Sequence, residues 1–220
     1  MSSQSELQSN PEHKKNNKNS ASEVGHAKNV ANFQDLIAYC TAYGATYNPS
    51  KIALQLTALN TILTSAQTEL SSVTTAKNAF DTVTGDRQLA FEPLKSLATK
   101  VFNYLSVTDA TNQTIADAKT INNKLQGRRS GTVSETPPTE GGTAPNTVSV
   151  SRQSYDMLTE NFSELIDLIS SVPSYTPNET ELTVTSLTTF HSNLQTANTN
   201  VINAEVVYSN ARISRNTILY

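Results

Sequence analysis

Cysteine is nearly missing from this sequence and tryptophan is missing altogether. The single cysteine, Cys40, cannot form an intramolecular disulfide, and no multi-cysteine metal site can be built. Cys40 falls on an apolar helical stripe, where a thiol reads as a small buried hydrophobe. The sequence sets no base beside it, so a nucleophilic role is not indicated. Charge is scarce as well: 16% of residues are charged and the net charge is −3. There is no basic excess for nucleic acid and no polybasic stretch for an anionic membrane. The small cluster His13, Lys14, Lys15 and Lys18 reads as solvated charge in a polar segment.

Long apolar runs are also lacking. No stretch of about 18 apolar residues occurs, so no membrane-spanning helix is expected. The first twenty residues have no apolar core of the secretory type. The cytoplasm is the default location, with signal-independent export left open. A ferritin-type metal site would need two Glu-x-x-His motifs on facing helices, and the sequence does not supply the pair. Phosphate-binding glycine loops, dinucleotide fingerprints and nucleophile elbows are lacking too. The expectation is a non-enzyme with no cofactor, no metal and no small-molecule ligand.

Thr, Ser and Asn are abundant instead. They are mediocre helix formers, so long helices here must depend on packing more than on propensity. Self-comparison is the informative step. Setting Tyr47-Asn48-Pro49 over Tyr175-Thr176-Pro177 aligns the rest of the chain without a gap. Leu54 meets Leu182, Leu59 meets Leu187, Gln67 meets Gln195, Val73 meets Val201, Ala76 meets Ala204 and Arg87 meets Arg215. Upstream, one residue of gap restores the match, with Asn32-Phe33-Gln34-Asp35-Leu36-Ile37 over Asn161-Phe162-Ser163-Glu164-Leu165-Ile166. The two halves read as duplicates.

Apolar spacing of three and four predicts a short helix over about 30–43 (Val30, Phe33, Ile37, Cys40), stopped by Gly44. Its counterpart spans about 151–171 (Tyr155, Leu158, Phe162, Leu165, Ile169), ended by Pro173. A long helix is predicted from Ile52, capped by Ser50, and another from Glu179 to Ile218, capped by Asn178. The second is a heptad seam that no Gly or Pro interrupts, a rod of roughly 60 Å. The first has one short step at Ala76. It meets Gly85 and Pro93 and continues, kinked, through Leu94, Leu97, Val101 and Leu105. A further helix is predicted over about 109–125, capped by Asp109 and closed by Gly127.

The fold class expected is therefore all-α, an elongated antiparallel bundle of two repeated short-helix/long-helix hairpins. Residues 1–25 are a polar tail expected to be disordered, and 26–127 the first repeat with extra C-terminal helices. Residues 128–149 form a Pro/Gly/Thr-rich linker, and 150–220 the second repeat, both repeats packing into one bundle.

Two arginines at equivalent seam positions, Arg87 and Arg215, are the most unusual feature. An arginine on a seam must snorkel or find a carboxylate. Asp35 and Glu164 are the matched candidates, and such pairs would fix register; an anion or partner site is the alternative. Tyr47 and Tyr175, ahead of the turn prolines, are expected to pack the hairpin corners with their hydroxyls on backbone or water. The segments Tyr175-Thr-Pro-Asn-Glu…Leu182 and Asn210-Ala-Arg-Ile-Ser-Arg-Asn216 resemble a group of uncharacterised helical-bundle proteins of Bacteroidetes-type bacteria. That resemblance implies a helical fold and carries no activity, ligand or catalytic residue. The function expected is a structural or protein-interaction bundle that self-associates or holds a protein partner. The alternative is a membrane-acting bundle resembling soluble pore-forming toxins, with Ala90–Leu105 as the concealed apolar segment.

Overall fold

The computed structural model describes residues 25–128 and 153–219. The polar tail and nearly all of the linker read from the sequence lie outside the described residues. Among the described residues six α-helices follow one another: α1 (His26–Ala42), α2 (Leu56–Phe91), α3 (Leu94–Leu105), α4 (Asn112–Gln126), α5 (Tyr155–Ser170) and α6 (Val184–Leu219). Single 3-10 turns occupy Gly44–Thr46, Ile52–Leu54 and Thr180–Leu182. The described residues contain no strand. They form two compact units, one of residues 25–70 and 217–219, the other of residues 71–128 and 153–216.

Helices so rich in hydroxyls hold together partly by answering those hydroxyls locally. Along α2, Thr61, Thr64, Ser65 and Thr68 each donate to the carbonyl four residues back, at 2.9–3.0 Å. Along α6, Thr188, Thr189, Ser192, Thr196 and Thr199 do the same. Each hydroxyl is satisfied without a partner helix, so the polar faces can stay in water.

Several helix ends differ from the sequence reading. Ser50 and Asn178 do not cap the long helices. The residues after them first make the one-turn 3-10 segments, then an extended residue (Gln55, ψ 148°; Thr183, ψ 145°), and only then α2 and α6. Thr183 is the working cap of α6, its Oγ1 accepting from the Ser186 N–H at 3.3 Å. The cap of α4 is Thr111, not Asp109, and its Oγ1 accepts from the Thr114 N–H at 3.1 Å. Gly127 does close α4, at φ +75°, where a β-carbon would be strained and would meet Gln153. Gly85 sits inside α2 without breaking it; the break comes at Glu92 and Pro93, where the ring's missing N–H ends one helix and starts the next.

The core of the first unit joins α1 to the start of α2: Val30 and Ile37 against Leu59, Leu63 and Ala66, with Phe33, Leu56, Leu70 and Leu219 packed on it. The larger core of the second unit takes Phe91 from α2 and Leu94, Ala98, Val101 and Leu105 from α3. Ala118, Ile121 and Leu125 come from α4, Leu158, Phe162, Leu165 and Ile169 from α5, and Leu187 and Leu194 from α6. In this unit α4 packs on both α3 and α5, and α3 also packs on the Thr180–Leu182 turn. The end of α2 runs antiparallel to α6. Phe80 stacks on Tyr208, centroids 6.1 Å apart, while Val83 and Ala90 share a shallow groove with Ala197 and Asn193.

Candidate functional site

The tyrosines predicted to pack the hairpin corners do so with one shared hydrogen bond. The Tyr47 hydroxyl donates to the Leu54 carbonyl at 2.7 Å, and the Tyr175 hydroxyl to the Leu182 carbonyl at 2.9 Å. Each bond ties the tyrosine two residues ahead of the turn proline to the end of the following 3-10 segment. The corners differ in surroundings. Tyr175 is buried, with the Tyr104 ring edge-on at 5.2 Å. Burial, then Tyr104, then Glu179 push its hydroxyl up to about 12. Tyr47 is only half-buried; its hydroxyl is also raised, by desolvation first and by the Cys40 thiol second.

The arginines are placed differently from the sequence expectation. The Arg87 guanidinium lies over the Tyr155 ring, 4.1 Å from its centroid, and Phe91 meets the same ring edge-on at 4.7 Å. Its Nε is buried and has no acceptor. Arg215 turns to its neighbour, its Nε and Nη2 donating to Asn216 Oδ1 at 3.2 and 2.9 Å. Glu164 is bound by Lys124 of α4 at 2.9 Å. Asp35 is exposed and meets no cation among the described residues. The expected arginine–carboxylate pairs are thus replaced by a cation–π contact for Arg87 and a neighbour contact for Arg215. The reason is reach: a lysine on the inserted helix α4 gets to Glu164, and an aromatic at the start of α5 gets to Arg87.

Sequence reasoning did not find the cross-links that α3 and α4 make: Lys100 to Glu181 at 2.8 Å, Lys124 to Glu164, and Lys95 to Gln153 at 2.9 Å. It also missed a polar network between α5 and α6. There the Asn198 amide donates to Asp156 at 3.2 Å and lies 3.5 Å from the Thr159 hydroxyl, at the edge of an open groove of about 530 Å³ that His191 and Glu160 also line. Among the described residues, no three His, Cys, Asp or Glu side chains are placed to share a metal ion. No helix of the described residues is long and apolar enough to cross a membrane. In α3, within the stretch put forward as membrane-active, Ala98, Val101 and Leu105 are fully buried in the second core.

What stands out is an apolar face in the first unit. Leu54 and Ile62 are exposed in this unit, and so, along α1 and at its C-terminal cap, are Leu36, Tyr39 and Tyr43. Their spacing of three and four makes a stripe on the flank of α1 beside the one that packs on α2. Large apolar residues repeated on one side of a helix call for an explanation that singly scattered ones do not. No protein-family model, curated protein or solved structure matches the chain.

Proposed function

We propose that this chain is a duplicated helical-hairpin bundle whose work is non-enzymatic: it holds another polypeptide, a second copy of itself included. The duplication is supported by the equality of local structure at corresponding positions. The helices α2 and α6 have the same length, 36 residues. Both follow a 3-10 turn tied by the same tyrosine bond. Phe80 and Tyr208, which the sequence alignment makes equivalent, are also the rings that stack, the contact expected where a local twofold axis crosses an antiparallel pair.

The observation that carries the interaction reading is the exposed stripe Leu36, Tyr39 and Tyr43 with Leu54 and Ile62. A water-facing helix has no need of a leucine and two tyrosines on one side, whereas interface centres are enriched in aromatic residues. Two measurements on the full chain test this. Light scattering after size exclusion, over a wide concentration range, reports whether the mass rises above that of one chain. Binding of the dye ANS reports whether an apolar surface is open. Mass growth with concentration, or ANS binding that Leu36→Glu abolishes, supports the reading. A strict monomer that binds no dye would remove it.

A further inference from the structure

The two hairpins carry the same outer face, and in one of them that face is covered. Under the sequence alignment Leu36 corresponds to Leu165, Tyr39 to Leu168, Tyr43 to Val172, Leu54 to Leu182 and Ile62 to Phe190. In the first unit all five are exposed. In the second, Leu165 and Leu182 are buried, while Leu168, Val172 and Phe190 pack against the core that α3 and α4 complete. The cover is an amphipathic helix pair whose stripe, Leu94, Ala98, Val101 and Leu105 with Ala118, Ile121 and Leu125, is spaced by three and four. It is fixed by charge too, since Lys124 of α4 binds Glu164, the counterpart of Asp35.

We infer that the face around Leu36 is a docking site for an amphipathic helix pair of a partner protein, one that resembles α3–α4 and brings a lysine or arginine to Asp35. This rests on the interaction reading above and names the occupant. Two other occupants fit less well. The undescribed residues 1–24 and 129–152 hold only Met1, Leu7 and Val24, and Val133, Val148 and Val150, as large aliphatic residues, with Ala alone besides. Neither can supply a stripe of Leu and Val at helical spacing. A second copy presenting the same face would bring Asp35 towards its own like, where the covered face has a cation.

The test adds a labelled synthetic peptide of residues 93–127, the α3–α4 segment itself, to the intact chain and follows fluorescence anisotropy. Saturable binding is expected, weakened roughly tenfold or more by Leu36→Glu at the centre of the face. Leu89→Glu, an exposed apolar position in the other unit, should change nothing. Asp35→Lys should weaken binding, and a peptide carrying Lys124→Glu should restore it; that rescue is what a merely greasy contact would not show. No binding, or binding indifferent to Leu36→Glu, overturns the inference. So does a chain that dimerises through this face, seen as a doubled mass that Leu36→Glu returns to monomer. That last result would still leave the interaction reading standing, as would ANS binding without peptide binding. A monomer with no ANS binding would take both away.

Discussion

Leu36 and Leu165 are the same residue type at corresponding positions, so their truncation to alanine isolates what the cover contributes. Leu165 has no exposed surface, whereas Leu36 is 54% exposed. Truncating a fully enclosed leucine removes its transfer free energy and leaves a cavity that neighbours on α4 and α6 only partly fill; the cost is ~2–5 kcal/mol. Phe162 and Ile169 flank it on the same helix and are themselves fully enclosed, so little collapse is available and about 3–4 kcal/mol is expected. At Leu36 much of the side chain already sees water. Area bookkeeping at ~25 cal/mol per Å² leaves under about 1 kcal/mol to lose. Urea unfolding followed by far-ultraviolet circular dichroism reads both. With a urea slope of roughly 2 kcal/mol per molar, Leu165→Ala should lower the midpoint by about 1.5–2 M and Leu36→Ala by less than about 0.5 M. If the units melt separately, only the transition of the second should move for Leu165→Ala. Equal losses at the two positions would refute the claim that α3 and α4 cover one face and leave the other open.

The tyrosine corners make the same bond in unequal surroundings. Tyr175→Phe leaves the Leu182 carbonyl without its buried donor and should cost ~1–3 kcal/mol, whereas at half-buried Tyr47 water replaces the hydroxyl and less than about 1 kcal/mol is expected. The same urea curves decide it, and a larger loss at Tyr47 would contradict the burial argument. Tyr175 also predicts alkaline behaviour. Its folded value, pushed up to about 12, lies above the ~10 of an unfolded tyrosine. Its contribution is therefore complete below pH ~10 and lost as pH rises from there through about 12. Tyr175→Phe should flatten the fall in stability over that window, measured by denaturation at stepped pH. For Arg87, truncation to alanine removes a stacked guanidinium and its stem, expected to cost ~1–2 kcal/mol, and Arg215→Ala under about 0.5 kcal/mol. Repeating the melts in about 1 M salt, where the Debye length is ~3 Å, should leave the Arg87 cost in place; a cost that vanishes would point back to an ion pair.

The helices were legible because the apolar spacing is strict. Val30, Ile37 and Cys40, and Leu158, Phe162, Leu165 and Ile169, are buried where the stripes put them. The seam of α2 stays buried or half-buried through Leu59, Leu63, Ala66, Val73, Ala76 and Phe80. Helix ends were less legible, because Ser50 and Asn178 have the right chemistry for caps and only tertiary geometry decides that a 3-10 turn intervenes. Charge partners were not legible at all. Glu164 stands at the position that alignment gives to Asp35, and symmetry suggested an arginine for both, but the cation comes from α4, which has no counterpart in the other half. The cover had a signal in the sequence: beside the stripe of Leu158, Phe162, Leu165 and Ile169, α5 carries Ile166 and Leu168, and Val172 follows its end, too many apolar residues for a helix packed on one neighbour.

Why the insertion covers the hairpin it does follows from the antiparallel course of the long helices. Phe91 ends α2 inside the core of the second unit, and Pro93 starts α3 there. The segment that follows α2 therefore starts inside this core, where Leu94, Ala98, Val101 and Leu105 are buried. The residue corresponding to Phe91 is Leu219, which ends α6 on the core of the first unit. Under the proposed duplication the two halves offer equivalent seats, and one is filled within the described residues. The residues at the proposed docking site are an apolar stripe that the alignment sets over a buried one, and an acid whose counterpart holds a lysine. A surface meant only for water would gain solubility by exchanging Leu36, Tyr39 and Tyr43 for the threonine and asparagine abundant elsewhere in the chain, and that is the physical ground on which the proposed docking site rests.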